Sequence, residues 1–225
     1  MPTIARPSVL LFDVNETLID IGPVKERVAQ MLHDPQSPEL WFSMMLQYAL
    51  VATVAGQYFS FPETGAAVLQ MIGRNRNIAI SAGDAQATLA MMKTSPAHPD
   101  VAPALTRLKA AGFRLATVTN SPQEGVKAQL QSGGISHFFE REISVESVRK
   151  FKPHADVYAA AARVMQAAPG DCMLVAAHGW DVAGAQWAGM RTAFIGRPGQ
   201  QKFPLAPEPD MEAADLLALA ELLGA

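Results

Sequence analysis

Ser8-Val9-Leu10-Leu11-Phe12-Asp13-Val14-Asn15-Glu16-Thr17-Leu18 is a run of bulky apolar residues that stops on an aspartate and passes into a polar turn. Successive apolar residues without alternation suit a strand buried on both faces, as in a parallel sheet covered by helices. The pattern recurs: Phe113–Val118 runs into Thr119 and Asn120, Asp171–Val175 runs into Ala176, Ala177 and His178, and Arg191–Ile195 stops at Gly196. Helical stretches lie between these runs, at Val101–Ala110 and Ala155–Ala167. Strands alternating with helices predict an α/β fold with a Rossmann-like parallel sheet core. Ligands of such sheets bind outside the carboxyl ends of the strands, at a switch in strand order. Asp13, Thr119, Asn120 and the His178 segment all fall at that end.

The stretch after the first strand has little strand character. It reads as helices over Val24–Leu32, Pro38–Ala55, Glu63–Asn75 and Asp84–Lys93, separated by Pro35, Pro62 and the trio Ser81-Ala82-Gly83. The expected organisation is an α/β core from 1–20 and 96–225 with an inserted helical cap domain over 21–95. Hinges are expected near Asp20–Pro23 and Thr94–Pro99, where proline and small residues gather. The alanine-rich tail from about Met211 to Leu222 reads as a terminal helix.

With 225 residues, 49% of them hydrophobic and 17% charged, the chain can bury a core and carry an insertion. Its net charge of -3, with basic residues scattered singly, gives no footprint for nucleic acid. The N-terminal apolar run is too short to span a bilayer and ends on Asp13, so neither a membrane segment nor a targeting segment is expected, and the cytoplasm is the default location. The single cysteine, Cys172, excludes an internal disulfide and reads as a buried strand residue beside Met173, Leu174 and Val175.

An aspartate at the end of a buried strand either aims its carboxylate into the crevice or caps a turn. Three further segments bear on the choice. Thr119-Asn120-Ser121 ends a strand with hydroxyl and amide groups suited to a carboxylate or oxyanion. Lys152-Pro153 precedes a helix, where proline suits the first turn and the lysine can point into the site. Trp180-Asp181 opens a helix after a strand. Separately these are a strand end, a surface lysine and a helix N-terminus. Together they stand in order at corresponding ends of successive strands.

That constellation resembles the haloacid dehalogenase superfamily, whose four motifs match Asp13, Thr119, Lys152 and Asp181 across nearly the whole chain. Phosphatases of the superfamily carry a second aspartate two residues after the nucleophile and an acidic metal ligand four residues before the last aspartate. Here those positions are Asn15 and Ala177, which offer neither a proton nor an oxygen ligand for Mg²⁺. The chain is more similar to the metal-independent 2-haloacid dehalogenase branch (type II). The resemblance implies Asp13 as nucleophile with Thr17 beside it, Lys152 keeping it ionised, and Asp181 positioning the lysine, the deacylating water, or both. It places Asn15, Trp41, Phe42, Thr119, Asn120, Tyr158 and His178 around the substrate. The chain departs from that branch at Asn15, usually tyrosine; at Phe42, which aligns with the halide-binding arginine; and at Ala176 and His178, usually serine and asparagine.

The function implied is a hydrolase that cleaves a carbon–heteroatom bond alpha to a small carboxylate through an aspartyl ester. It needs no metal and no cofactor, takes a small 2-substituted carboxylic acid, and forms a homodimer as this family often does. The alternatives are ring opening of a cyclic imino acid such as L-azetidine-2-carboxylate, with Trp41 and Phe42 as an aromatic wall for the protonated ring; a phosphatase with altered motifs; and a non-catalytic binding protein of the same fold. Met44, Met45 and Leu46 read as packing inside the cap. His178 reads as a polar site residue or a residue that opens a helix, with general base a lesser alternative. His33, His98, His137 and His154 receive no role.

Overall fold

The computed structural model describes residues 6–225; residues 1–5 of the expected core lie outside them. Six parallel strands form one sheet in the order β3-β2-β1-β4-β5-β6: β1 (Val9–Phe12), β2 (Arg114–Thr119), β3 (Arg141–Ser144), β4 (Cys172–Ala176), β5 (Arg191–Ile195) and β6 (Met211–Ala213). Central β1 and β4 are buried at every residue, as expected of strands covered on both faces. The chain leaves β1 towards β2 and β3 on one side, then returns to β4 on the other. That reversal is the switch point, and Asp13 follows β1 directly into it.

Between β1 and β2 the chain builds α1 (Gly22–Leu32), α2 (Ser37–Val54), α3 (Phe61–Asn75), α4 (Ala82–Ala90) and a 3-10 turn at Met91–Thr94, then α5 (Val101–Ala110), and α6 (Gln123–Ser132) follows β2. The two connections to this helical insertion run side by side. Asp20 N–H donates to Pro96 O at 2.8 Å and His98 N–H to Leu18 O at 2.9 Å. Ser60 and Glu63 form a reciprocal capping box that starts α3, and Ser81 caps α4, so the serine expected as a breaker is a helix start. No helix among the described residues is long and apolar enough to cross a membrane. Cys172 is buried, and burial pushes its thiol up to about 11.

Two expectations of local structure are corrected. The tail is not one helix: Met211–Ala213 pairs with β5 as β6, and α9 (Leu216–Leu222) begins only after Asp215, whose carboxylate accepts the Ala218 N–H at 2.8 Å. Pro153 is not in a first helical turn, since α7 (Ala155–Val164) starts two residues later behind His154.

Candidate active site

The segments that follow β1, β3 and β4, with Lys25 of α1 and Glu39 of α2, bring charged side chains together around a buried centre. Asp13 is fixed by its own N–H, which donates to Val175 O of β4 at 3.0 Å. The turn that follows folds Thr17 back so that its hydroxyl donates to Asp13 Oδ2 at 2.8 Å while accepting the Ala177 N–H at 2.9 Å. Lys152 is buried, and its ammonium spends its three protons on Asp13 Oδ1 (2.7 Å), Asp181 Oδ2 (2.6 Å) and the Val118 carbonyl (3.0 Å). Asp181 lies at the start of α8 (Gly179–Trp187), and its second oxygen accepts from the Tyr158 hydroxyl at 2.6 Å. Gly184, one turn on, is required by close approach: a Cβ there would lie 2.2 Å from Pro153 Cβ and 2.8 Å from the Tyr158 hydroxyl.

The network continues on the other side of Asp13. His178 Nδ1 lies 3.0 Å from Asp13 Oδ2, and its Nε2 lies 2.9 Å from Glu16 Oε2. Glu16 also pairs with Lys25 of α1, which reaches Glu39 of α2 at 2.9 Å. Anions and cations therefore alternate from Asp181 through Lys152, Asp13, His178, Glu16 and Lys25 to Glu39. Burial alone would raise the Asp13 carboxyl, but the Lys152 charge and the His178 hydrogen bond outweigh it and hold the group well below the usual carboxylate range. Burial pushes Asp181 up, and Lys152 offsets this only in part.

The residues expected around the substrate separate into groups. Thr17 and His178 touch Asp13. Asn120 accepts the Lys152 N–H at 3.0 Å through Oδ1. Thr119 is buried, and its hydroxyl accepts the Ser121 N–H at 3.1 Å. Asn15 is bonded to Ser121 Oγ (3.3 Å) and Gln129 Nε2 (2.8 Å). Two of them are set further back. Tyr158 is fully buried behind Asp181 and braces that carboxylate. Trp41 is fully buried in the insertion, where its indole N–H donates to Gly65 O at 2.9 Å. Phe42 does reach the site, stacked on the His178 ring at 5.8 Å and 17°.

Glu16 and Lys25 were not anticipated from the sequence. Glu16 sits in the quoted turn, yet a glutamate among polar residues reads as solvated, and its partner lies far away in the chain.

Magnesium, which superfamily phosphatases require, does not fit this donor set. Lys152 Nζ bonds both Asp13 and Asp181 and so already supplies a positive charge between them. Ala177 contributes a methyl group, and among the described residues no cluster of His, Cys, Asp and Glu is arranged to hold a metal ion.

Residues 7–189 match the family model of the haloacid dehalogenase-like hydrolases. An (S)-2-haloacid dehalogenase of Pseudomonas putida is 29% identical over 219 residues, covering 95% of this chain and 96% of its own. A haloacetate dehalogenase of Moraxella sp. is 28% identical over 217 residues, again covering 95% and 96%. The solved structure of an L-2-haloacid dehalogenase from Xanthobacter autotrophicus has the same fold, with a TM-score of 0.90 over 97% of this chain and 99% of that one at 21% identity.

Proposed function

The chain belongs to the haloacid dehalogenase-like hydrolase family, and from that membership we propose that it is a metal-independent 2-haloacid dehalogenase that works through an ester on Asp13. The observation that carries the reading is the state of Asp13: ionised at a strand end and flanked by Lys152 and Thr17, with the methyl group of Ala177 in place of an acidic ligand. Its carboxylate attacks the carbon alpha to the substrate carboxylate, the carbon–halogen bond breaks, and halide leaves. Water then attacks Cγ of Asp13, the ester bond breaks, and a 2-hydroxy acid departs. Lys152 keeps the nucleophile charged, while Asp181, braced by Tyr158, holds the lysine in place. Asn120 uses Oδ1 on the Lys152 backbone, which leaves its amide protons for the substrate carboxylate. A cleft of about 740 Å³, lined by Leu46, Leu50, Val51, Pro153 and Trp180, opens beside Lys152 and supplies the approach for a small apolar-bodied acid.

In this reading the helical insertion acts as a cap over the core. The chain forms a homodimer, as its family often does, and the lone cysteine supports a cytoplasmic location. Membership of a hydrolase family and the complete charged set speak against a binding-only role.

Ring opening loses the support it drew from Trp41 and Phe42. Trp41 is internal to the insertion, and Phe42 already faces the His178 ring, with Lys25 Nζ 5.8 Å from its centroid. A second positive ring there would meet two cations. Assayed side by side, L-2-chloropropionate is expected to release chloride faster than L-azetidine-2-carboxylate is opened; the reverse order would move the assignment to the imino acid. Activity is expected to survive exhaustive chelation unchanged. Loss with EDTA and recovery with Mg²⁺ would restore the phosphatase reading.

A further inference from the structure

Resting on the ester reading above, we propose that His178 is a catalytic residue of deacylation: braced by Glu16, it is a cationic donor that joins Thr17 in an oxyanion hole at Asp13 Oδ2. A neutral imidazole has one donor and one acceptor nitrogen, whereas carboxylates only accept. Both nitrogens of His178 lie at hydrogen-bond distance from carboxylate oxygens, so both carry protons. A ring that donates twice cannot also act as a general base, which removes that alternative. Burial opposes the charge, but the hydrogen bonds to Asp13 and Glu16 prevail and raise the group to about 9.

The position is built, not incidental. Trp180 stacks on the ring at 5.1 Å, as Phe42 does at 5.8 Å. Glu16 is held in the left-handed region at φ 62°, a costly conformation for a side chain of its size. Its N–H donates to Ile19 O, its carbonyl meets His98 Nε2 at 3.2 Å, and its second carboxylate oxygen is taken by Lys25. The charged groups bearing on His178 are thus Asp13 after β1, Glu16 in the turn and Lys25 of α1 behind it. Lys152 and Asp181 lie beyond Asp13, while α2 and α8 present Phe42 and Trp180.

Geometry assigns the step. Donors on a nucleophile quench it, and Oδ2 carries two (Thr17 and His178) where Oδ1 carries only Lys152. Oδ1 is therefore the attacking oxygen, and Oδ2 becomes the ester carbonyl. When water adds to Cγ, negative charge develops on Oδ2 between the Thr17 hydroxyl and the His178 N–H. The Cγ–Oδ1 bond then breaks. One water proton reaches the departing alkoxide through Asp181 and Lys152, and the other is released as Asp13 returns to its carboxylate. His178 does not replace the missing arginine: a group displaced in line leaves from the far side of the carbon, beyond a donor that touches the nucleophile.

The test uses full-length enzyme and L-2-chloropropionate. In His178→Ala both the donor at Oδ2 and its charge are lost, so deacylation is expected to slow by about 10²-fold. The Asp13 ester should then accumulate in the intact-protein mass. In Glu16→Gln, a gentler change that keeps the side-chain shape, the alkaline limb of the deacylation rate should move to lower pH. Nitrogen-15 spectra of the free enzyme should show both His178 nitrogens protonated at neutral pH, a readout that needs no turnover. A neutral imidazole there, or an ester that turns over at the native rate in His178→Ala, overturns the proposal and leaves the ester reading standing. Absence of any ester on Asp13 in both native and variant enzyme overturns the ester reading and the proposal with it.

Discussion

Asp13→Asn is expected to lower turnover by about 10⁴-fold or more while leaving the fold intact. The amide fills the same space, and both cations that flank the position keep another anion: Lys152 keeps Asp181 and His178 keeps Glu16. What disappears is the attacking oxygen. A carboxamide is a poor nucleophile at neutral pH, and no other carboxylate reaches the same point, since Asp181 is held on both oxygens by Lys152 and Tyr158. The companion measurement fixes the mechanism as well as the residue. With native enzyme in excess over substrate in ¹⁸O-water, the first turnover should give a 2-hydroxy acid whose new oxygen is unlabelled, because it comes from Asp13. The label should appear in the Asp13 carboxylate. Labelled product in that first turnover would show direct attack by water and reduce Asp13 to an electrostatic or basic role.

How much of this was readable beforehand depends on burial and on sequence distance. β1, β2, β4 and β5 occupy the middle of the sheet, so their composition is forced to be continuously apolar and they stand out. β3 begins with Arg141 and Glu142 at a sheet edge, where one side needs no covering. β6 is only Met211–Ala213, inside an alanine-rich stretch whose local preference is helical, until Asp215 caps a later start. The site divides similarly. Asp13, Lys152 and Asp181 stand at strand and helix ends where a charge needs a reason. Glu16 does not: its pairing with His178 spans most of the chain and depends on a left-handed backbone that nothing in a non-glycine turn announces. Trp41 and Phe42 illustrate a different limit. α2 is apolar nearly all round, so no periodicity tells which of two adjacent aromatics faces inward and which faces the site.

Lys152→Ala is expected to be nearly inactive, by about 10³-fold or more, and to lose less stability than the native protein on the acid side. The ammonium is fully buried against two buried carboxylates at 2.7 and 2.6 Å. Removing one partner of such an arrangement costs about 3–5 kcal/mol, because the remaining charges are left without solvent or counterion. The sign of the pH dependence follows from proton counting. In the native protein Asp13 titrates below its unfolded value, so its contribution is present above the unfolded carboxylate range and is lost as pH falls through the folded value. Without Lys152, Asp181 loses the charge that partly offset its burial, and Asp13 loses its largest favourable partner. Asp181, already raised in the native protein, is raised further, so the variant gains more stability than the native protein as pH falls towards the carboxylate range. Urea unfolding at a series of pH values, read beside kcat, separates the alternatives. Converging stability curves on the acid side with lost turnover are the expected pair. Parallel curves with near-native turnover would place Lys152 among ordinary buried lysines and remove the charge partner from Asp13.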